Sequence, residues 1–306
     1  MQLQENVSQD RQLGHVLWKL TRPHTLTASF VPVLIGTVLA LSFAHLHVLR
    51  FVAMLLSCLF IQIATNMFNE YYDYRRGLDT EHSIGIGGAI VRDGLQPKTV
   101  LRMALGCYLI ALLIGVYLCI SSSWWLALIG SIGMLIGYLY TGGPLPIAYT
   151  PLGELFAGLS MGAMFILISF FIQTGYINTE SILISVPIAI LVGAINMSNN
   201  IRDLDGDKSS GRKTLAILVG HKGAVALLAV SFVVAYLWII GMVVLGYASP
   251  WLLLVLLSVP KPIQAVTGFI GKRLPMQMMP AMKATAQTNT IFGLLLSVGL
   301  FISFRL

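Results

Sequence analysis

Uninterrupted apolar stretches recur about nine times along this chain, near 25–43, 48–69, 101–120, 124–140, 154–174, 182–201, 222–246, 249–270 and 286–304. Each approaches the roughly 20 residues that a helix needs to cross a hydrocarbon layer about 30 Å thick. Hydrophobic residues make up 57% of the 306 positions and charged residues only 10%, which excludes an ordinary water-soluble domain. The runs are continuous rather than alternating, so helices are expected instead of a barrel. The predicted fold is an all-α, polytopic membrane bundle of about nine transmembrane helices forming a single domain over 1–306. The eighth run is the least regular, because Pro260, Lys261 and Pro262 interrupt it. The first 24 residues lack an early apolar core, so no secretory signal is read there and the first run is expected to stay as an anchor.

Within that bundle one short pattern occurs twice. Asn66-Met67-Phe68-Asn69-Glu70-Tyr71-Tyr72-Asp73 closes the second run, and Asn196-Met197-Ser198-Asn199-Asn200-Ile201-Arg202-Asp203 closes the sixth. Asn66/Asn196, Met67/Met197, Asn69/Asn199 and Asp73/Asp203 match in register at an offset of 130 residues, which implies two pseudo-repeated halves, about 22–150 and 151–270. Asn66, Asn69 and Asp73 share one helical face. Asp79 would turn away from that face in an unbroken helix, and Gly77 supplies the break that brings it back. Asn196, Asn199, Asp203 and Asp207 read as one continuous helical stripe, with Asp205 on the other side.

The basic residues place both motifs on one side of the membrane. Arg11, Lys19 and Arg22 precede the first run, Arg75, Arg76, Arg92, Lys98 and Arg102 separate the second from the third, and Arg202, Lys208, Arg212, Lys213 and Lys222 lie about the sixth and seventh. Lys272, Arg273 and Lys283 precede the ninth, while only Arg50 and Arg305 fall clearly on the other side. The positive-inside rule then predicts a multi-pass protein of the cell membrane whose loops 70–100 and 202–221 carry a cytoplasmic site. The net charge of +7 reflects this asymmetry and gives no reason to expect nucleic acid as a partner. The segment His15 to Leu20 reads as an interfacial helix, with Trp18 and Lys19 suited to the headgroup layer.

Asparagines two turns inside an apolar boundary and carboxylates that repel one another imply a ligand, because polar groups at membrane depth are costly without one. Hard oxygen donors favour Mg²⁺, which binds through a few carboxylates together with substrate phosphate oxygens. The interleaved Arg76, Lys98, Arg202, Lys208 and Lys213 suit a diphosphate, although each is equally explained as a positive-inside marker. Arg22 either snorkels to lipid phosphate or points inward to an anion. Cys58, Cys107 and Cys119 lie within apolar runs without metal spacing and read as packing residues.

These motifs resemble the intramembrane aromatic prenyltransferase superfamily typified by the 4-hydroxybenzoate polyprenyltransferase. Arg22-Pro23-His24-Thr25, Asn69-Glu70-Tyr71-Tyr72-Asp73 with Gly77 and Asp79, Tyr140-Thr141-Gly142-Gly143-Pro144-Leu145-Pro146, and Asn199-Asn200-Ile201-Arg202-Asp203 with Asp205, Asp207 and Gly211-Arg212-Lys213-Thr214 are similar to its 1,4-dihydroxy-2-naphthoate branch. The 4-hydroxybenzoate branch commonly carries a lysine after the tyrosine at the end of span four; here Thr141, Gly142, Gly143 and Pro144 follow Tyr140.

The resemblance implies transfer of a polyprenyl group from polyprenyl diphosphate to 1,4-dihydroxy-2-naphthoate, with decarboxylation, to a demethylmenaquinone-type product. It implies two Mg²⁺ ions held by Asp73 and Asp79 on one side and Asp203 and Asp207 on the other, with Asn69 and Asn199 as further oxygen donors. Lys98, Lys208 or Lys213 would assist the leaving diphosphate, Tyr72, Tyr140 and Tyr149 would face the allylic cation, and Arg22 or Arg92 would hold the acceptor's carboxylate. Asn66 and Asn196 join the substrate-binding set. Prenylation of 4-hydroxybenzoate is the alternative within the superfamily. A cation-coupled transporter is the alternative outside it, disfavoured because its acids would lie at mid-membrane.

The glycine-rich stretch from His82 to Gly88 lacks a P-loop ending, and 80–98 is expected to be a mobile loop able to close over the site. Gly130, Gly133 and Gly137, and Gly158 with Gly162, are expected to allow close helix packing.

Overall fold

A computed structural model describes residues 14–79 and 88–306, and the described residues form helices and turns. Among the described residues seven helices are long and apolar enough to cross a membrane: Val48–Arg75 (α2), Pro97–Ser121 (α3), Gly153–Thr174 (α5), Thr179–Arg202 (α6), Leu215–Val244 (α7), Pro250–Phe269 (α8) and Pro275–Arg305 (α9). Two shorter apolar helices, Thr27–Ala40 (α1) and Trp125–Leu139 (α4), overlie the other two apolar runs. At 14 and 15 residues they extend about 21 to 23 Å. The protein is thus a multi-pass membrane bundle, with seven helices of crossing length where about nine were expected. The lid expected over 80–98 falls partly outside the described residues, since 80–87 are not among them.

Local chemistry sets the helix ends. Pro97, Pro250 and Pro275 open their helices, where a missing N–H costs no hydrogen bond. Asn178 caps α6 by accepting from the Ser181 N–H at 2.8 Å. Gly175, at φ +82°, ends α5 in the left-handed conformation. The proline interruption of α8 changes the helix type: Pro250–Ser258 is a 3₁₀ helix and Pro260–Phe269 is α-helical.

Lipid accepts what water would not. Leu105, Leu109, Leu113 and Ile120 of α3 are exposed on the outside of the bundle, where only a hydrocarbon solvent makes the arrangement stable. Trp18 is exposed while Leu20 is buried, as suits a helix lying at the interface. Far from the aspartates, Arg50 ties two helix ends together by donating to the carbonyls of Ile172 and Ser121.

The core divides around a central space. α6 packs on α7, α1 packs on α5, and α9 lies against α1, α6 and α8, while α2 pairs with α3. Gly158 and Gly162 allow a close approach of α5 to α6: a Cβ there would lie 2.4 Å from the Ala189 carbonyl oxygen and 2.5 Å from Ala189 Cα, respectively. The α4 glycines divide: a Cβ on Gly133 or Gly137 would lie 2.7 Å from Met164 Cε or the Tyr108 hydroxyl, so both are closely packed, whereas Gly130 has nothing within 4 Å, and all three also border the central cavity.

Gly162→Leu is expected to lower thermal stability in detergent by an amount equivalent to roughly 1–3 kcal/mol or more, because backbone atoms cannot move aside. Gly130→Ala meets nothing within 4 Å and is expected to raise stability slightly, by about 0.5–1 kcal/mol. Paired melting curves test both signs.

Candidate active site

The two repeated motifs end their helices in different ways. α2 stops at Arg75, Gly77 follows at φ +69°, and Asp79 returns to the same cavity wall as Asp73. α6 stops at Arg202, and Asp203 (φ −93°, ψ 5°) both ends it and begins a six-residue helix, Leu204–Ser209. The uninterrupted stripe from Asn196 to Asp207 is therefore corrected: the break at Asp203 re-aims the chain, so Asp205 and Asp207 both reach the cavity.

Beyond that short helix the chain folds back at Gly211 (φ +78°), and the Arg212 N–H donates to the Asp207 carbonyl at 3.0 Å. The Arg212 guanidinium then lies between the two motifs. Its Nη2 is 3.0 Å from Asp73 Oδ1 and its Nη1 is 3.0 Å from Asp207 Oδ1. Its plane stacks over the Tyr149 ring at 4.9 Å, and the Lys213 N–H, donating to the Tyr149 carbonyl at 2.9 Å, holds that segment in place. A second fork lies beside the first, with Arg202 Nε and Nη2 donating to Asp203 Oδ1 and Oδ2 at 2.7 and 2.5 Å.

The asparagines serve two kinds of contact. Asn66 is buried and donates to the Thr21 carbonyl and to Thr25 Oγ1 at 2.9 and 3.0 Å, fixing the segment before α1. Asn69 accepts from Thr141 at 2.7 Å, and Asn196 accepts from Tyr140 at 2.8 Å, so both join the turn after α4 to a motif helix. Arg76 pins the same turn through the carbonyls of Thr141 and Gly143. Arg22, held at φ +51°, reaches Glu70 at 3.4 Å. Glu70 is 1% exposed and accepts from the Gly88 and Ile90 N–H groups at 2.7 and 3.2 Å, which anchors the chain after 80–87 to α2.

One cavity of about 1430 Å³ gathers much of this set. Arg22, Asn66, Asn69, Asp73, Asp79 and Arg92 lie on its wall. Tyr140, Asn196, Asn199, Arg202, Asp203 and Asp207 face them from the second half of the chain. From this polar end the cavity continues along apolar residues of α2 to α5, among them Met54, Val116, Leu126, Met134 and Phe165.

Six predicted site residues lie off that wall. Lys98, Lys208 and Lys213 are exposed elsewhere. Tyr72 shares a hydrogen bond with Tyr138 at 2.8 Å, Tyr149 lies beneath Arg212, and Arg76 is engaged with the turn carbonyls. Sequence reasoning gave no site role to Arg212, Glu70 or Glu154, whose Oε1 accepts from Asn200 at 2.7 Å, nor to Arg273 and Lys283 of the cavity wall. Gly211, at φ +78°, is the reversal that returns the next side chain toward Asp207.

Burial and like charge raise two carboxylates at this end. Burial, then the neighbouring carboxylates of Asp73 and Glu70, push Asp79 up to about 6. Burial also raises Asp207 to about 6, with Asp203 and Asp73 adding to the effect against the opposing pull of Arg212. Asp207 Oδ2 is buried without a hydrogen-bond partner. Among the described residues no three acidic, histidine or cysteine side chains converge into a ready-made metal cage. An oxygen-only set of Asp73, Asp79, Asp203 and Asp207 with Asn69 and Asn199 nevertheless fits Mg²⁺, which uses few protein carboxylates and completes its shell with water and phosphate oxygens.

Residues 29–275 match the UbiA prenyltransferase family. The chain is 69% identical over 300 residues to the 1,4-dihydroxy-2-naphthoate octaprenyltransferase of Bacillus subtilis (strain 168), covering 98% of this chain and 96% of that protein. It is 30% identical over 291 residues to UbiA prenyltransferase domain-containing protein 1 of Homo sapiens, covering 92% and 82% of the two chains. Among solved structures, a UbiA homolog from Archaeoglobus fulgidus bound to GPP and Mg²⁺ shares the fold with a TM-score of 0.66 at 15% identity, over 92% of this chain and 99% of that one.

Arg212→Gln leaves two buried carboxylates facing each other and is expected to cost about 3–5 kcal/mol of stability. Arg212→Lys, which keeps the charge without the fork, is expected to recover only part of the melting temperature. A proton and a cation compete for Asp79 and Asp207. Both carboxylates are largely ionised at pH 7.5 and largely protonated at pH 5.5, so divalent-cation affinity is expected to fall about tenfold or more as pH drops across that window. Titration calorimetry at the two pH values reads it directly, and a flat affinity would remove these carboxylates from the cation site.

Proposed function

Since the chain belongs to the UbiA prenyltransferase family, we propose that it transfers a polyprenyl group from polyprenyl diphosphate to 1,4-dihydroxy-2-naphthoate, with loss of CO₂ and release of diphosphate. The observation that carries this proposal is the continuity of one cavity from an aspartate- and arginine-lined end to an apolar chamber among the helices. A diphosphate with a long isoprenoid tail has the same two-part character. The acceptor follows from the Bacillus subtilis relative.

The residues divide the work. Asp73, Asp79, Asp203 and Asp207, with Asn69 and Asn199, would hold two Mg²⁺ ions. The ions, when bound, neutralise the diphosphate and favour its departure as the allylic carbon–oxygen bond weakens. Arg212 and Arg202 set the aspartates in position through their forks and add positive charge at the same end. Tyr140, fixed by Asn196, presents its ring to the cavity, where a developing allylic cation meets a π face. The apolar chamber keeps water from that cation while the ring carbon of the acceptor attacks it. The carboxylate on that carbon then leaves as CO₂, and the electrons of the broken carbon–carbon bond restore the aromatic ring without removal of a ring proton.

The same proposal includes a single domain of two repeated halves, 22–150 and 151–270, each ending a crossing helix with its own aspartate motif. It also places the site on the cytoplasmic side, which the basic residues bordering the polar end support.

Purified protein supplied with Mg²⁺, a polyprenyl diphosphate and 1,4-dihydroxy-2-naphthoate is expected to give a prenylated, decarboxylated product by mass spectrometry, and none after chelation. Asp73→Asn and Asp203→Asn are each expected to reduce turnover by about a hundredfold or more while the protein remains folded. Near-normal turnover in either variant would remove that motif from the mechanism.

A further inference from the structure

The cavity has a second polar face that the aspartates do not explain. It lies on α9, where Lys283 and Gln287 occupy the wall one turn apart, with Thr290 a further turn along. Other polar residues of this helix behave differently: Thr285 and Thr288 are buried and donate to the carbonyls of Ala281 and Ala284 at 3.0 and 2.9 Å. Lys283 is the one lysine on the cavity wall among the described residues, and no carboxylate among them lies within ion-pair distance of it. It sits eight residues past the start of α9 at Pro275, about 12 Å along the helix. Snorkelling alone would account for a lysine at this depth. It does not account for Gln287, which is uncharged, lies deeper on the same face, and turns toward the same cavity.

The rest of the wall differs from one side to the other. On α3 and α4 the lining is apolar, including Leu112, Val116, Ala127 and Met134, and suits an isoprenoid chain. On α6 and α9 polar side chains, among them Asn196, Asn199, Lys283 and Gln287, are interspersed with apolar ones such as Ile195 and Met282, and Arg202 joins the two helices by contacting Met279 Sδ at 3.9 Å, one turn before Lys283. Of the two cations expected from the sequence to hold an acceptor carboxylate, Arg22 is engaged with Glu70 and Arg92 lies on the cavity wall near Asp79 of the first motif, away from α9.

We infer that Lys283 and Gln287 form the acceptor subsite, with the Lys283 ammonium pairing with the carboxylate of the aromatic acid and the Gln287 amide meeting a ring hydroxyl. The inference rests on the transferase function proposed above, and names the side of the cavity from which the ring approaches the allylic carbon. A planar aromatic acid on the α6–α9 face lies across the chamber from an isoprenoid on α3 and α4, with both reacting groups beneath the aspartates.

Steady-state kinetics of Lys283→Met test it. The KM for 1,4-dihydroxy-2-naphthoate is expected to rise about ten- to hundredfold, the cost of losing a charged hydrogen bond, with the KM for polyprenyl diphosphate changed by less than about twofold. Inhibition by 1,4-dihydroxynaphthalene, which has no carboxylate, is expected to be equal in the wild-type and variant enzymes. Gln287→Leu, which changes no charge, is expected to weaken both aromatic ligands, and melting curves confirm that each variant is folded. A rise in the KM for the diphosphate instead, or unchanged acceptor constants in both variants, would overturn the subsite while leaving the transferase function intact. No product from the wild-type enzyme with this acceptor would overturn the function itself.

Discussion

The ion pairs of Arg212 connect the halves of this molecule at the point where they must agree. One guanidinium meets Asp73 from the first motif and Asp207 from the second, each at 3.0 Å. Both carboxylates are largely removed from water, and carboxylates at that spacing repel strongly where water does not screen them. A planar cation with two donor edges satisfies both at once in a fixed geometry, whereas a lysine ammonium is a flexible point charge without that fork. The relative placement of α2 and α6 therefore depends on a side chain that belongs to neither helix.

Around this contact the protein partitions its chemistry by solvent. The polar end lies where helices terminate, so unpaired backbone groups and charged side chains have partners in turns and short helices. The chamber lies where helices are continuous and their backbone groups are already bonded, leaving a lining of side chains alone. An amphiphilic substrate fits such a space without a separate binding domain. The distribution of helix ends thus places the charged end of the cavity at the boundary between the two environments.

The sequence revealed more about the helices than about the charges. Long apolar runs map onto α1 to α9 because lipid enforces helicity residue by residue. Gly77 announced the return of Asp79, since a glycine after a helix end is a local signal. The fork of Arg212 was not legible: it joins residues 139 positions apart, and its loop carries neighbouring lysines of the same charge that point elsewhere. Lys98, Lys208 and Lys213 are alike in sequence context to the arginines that reach the cavity, and only the folded chain separates them. The break at Asp203 was missed because a spacing of three and four residues fits an unbroken helix equally well.

Residues Gly158–Met164 of α5 form a π-helical turn between two α-helical parts. A π turn holds one more residue than an α turn of the same rise, so the parts on either side are phased independently, by about 100°. On one side Glu154 meets Asn200, and on the other Phe165 and Ile168 line the chamber. In a uniform α-helix one of these faces would be rotated away from its partner. The extra residue therefore acts as a register shift, allowing a single crossing helix to serve a polar layer and an apolar layer whose geometries do not share a common repeat.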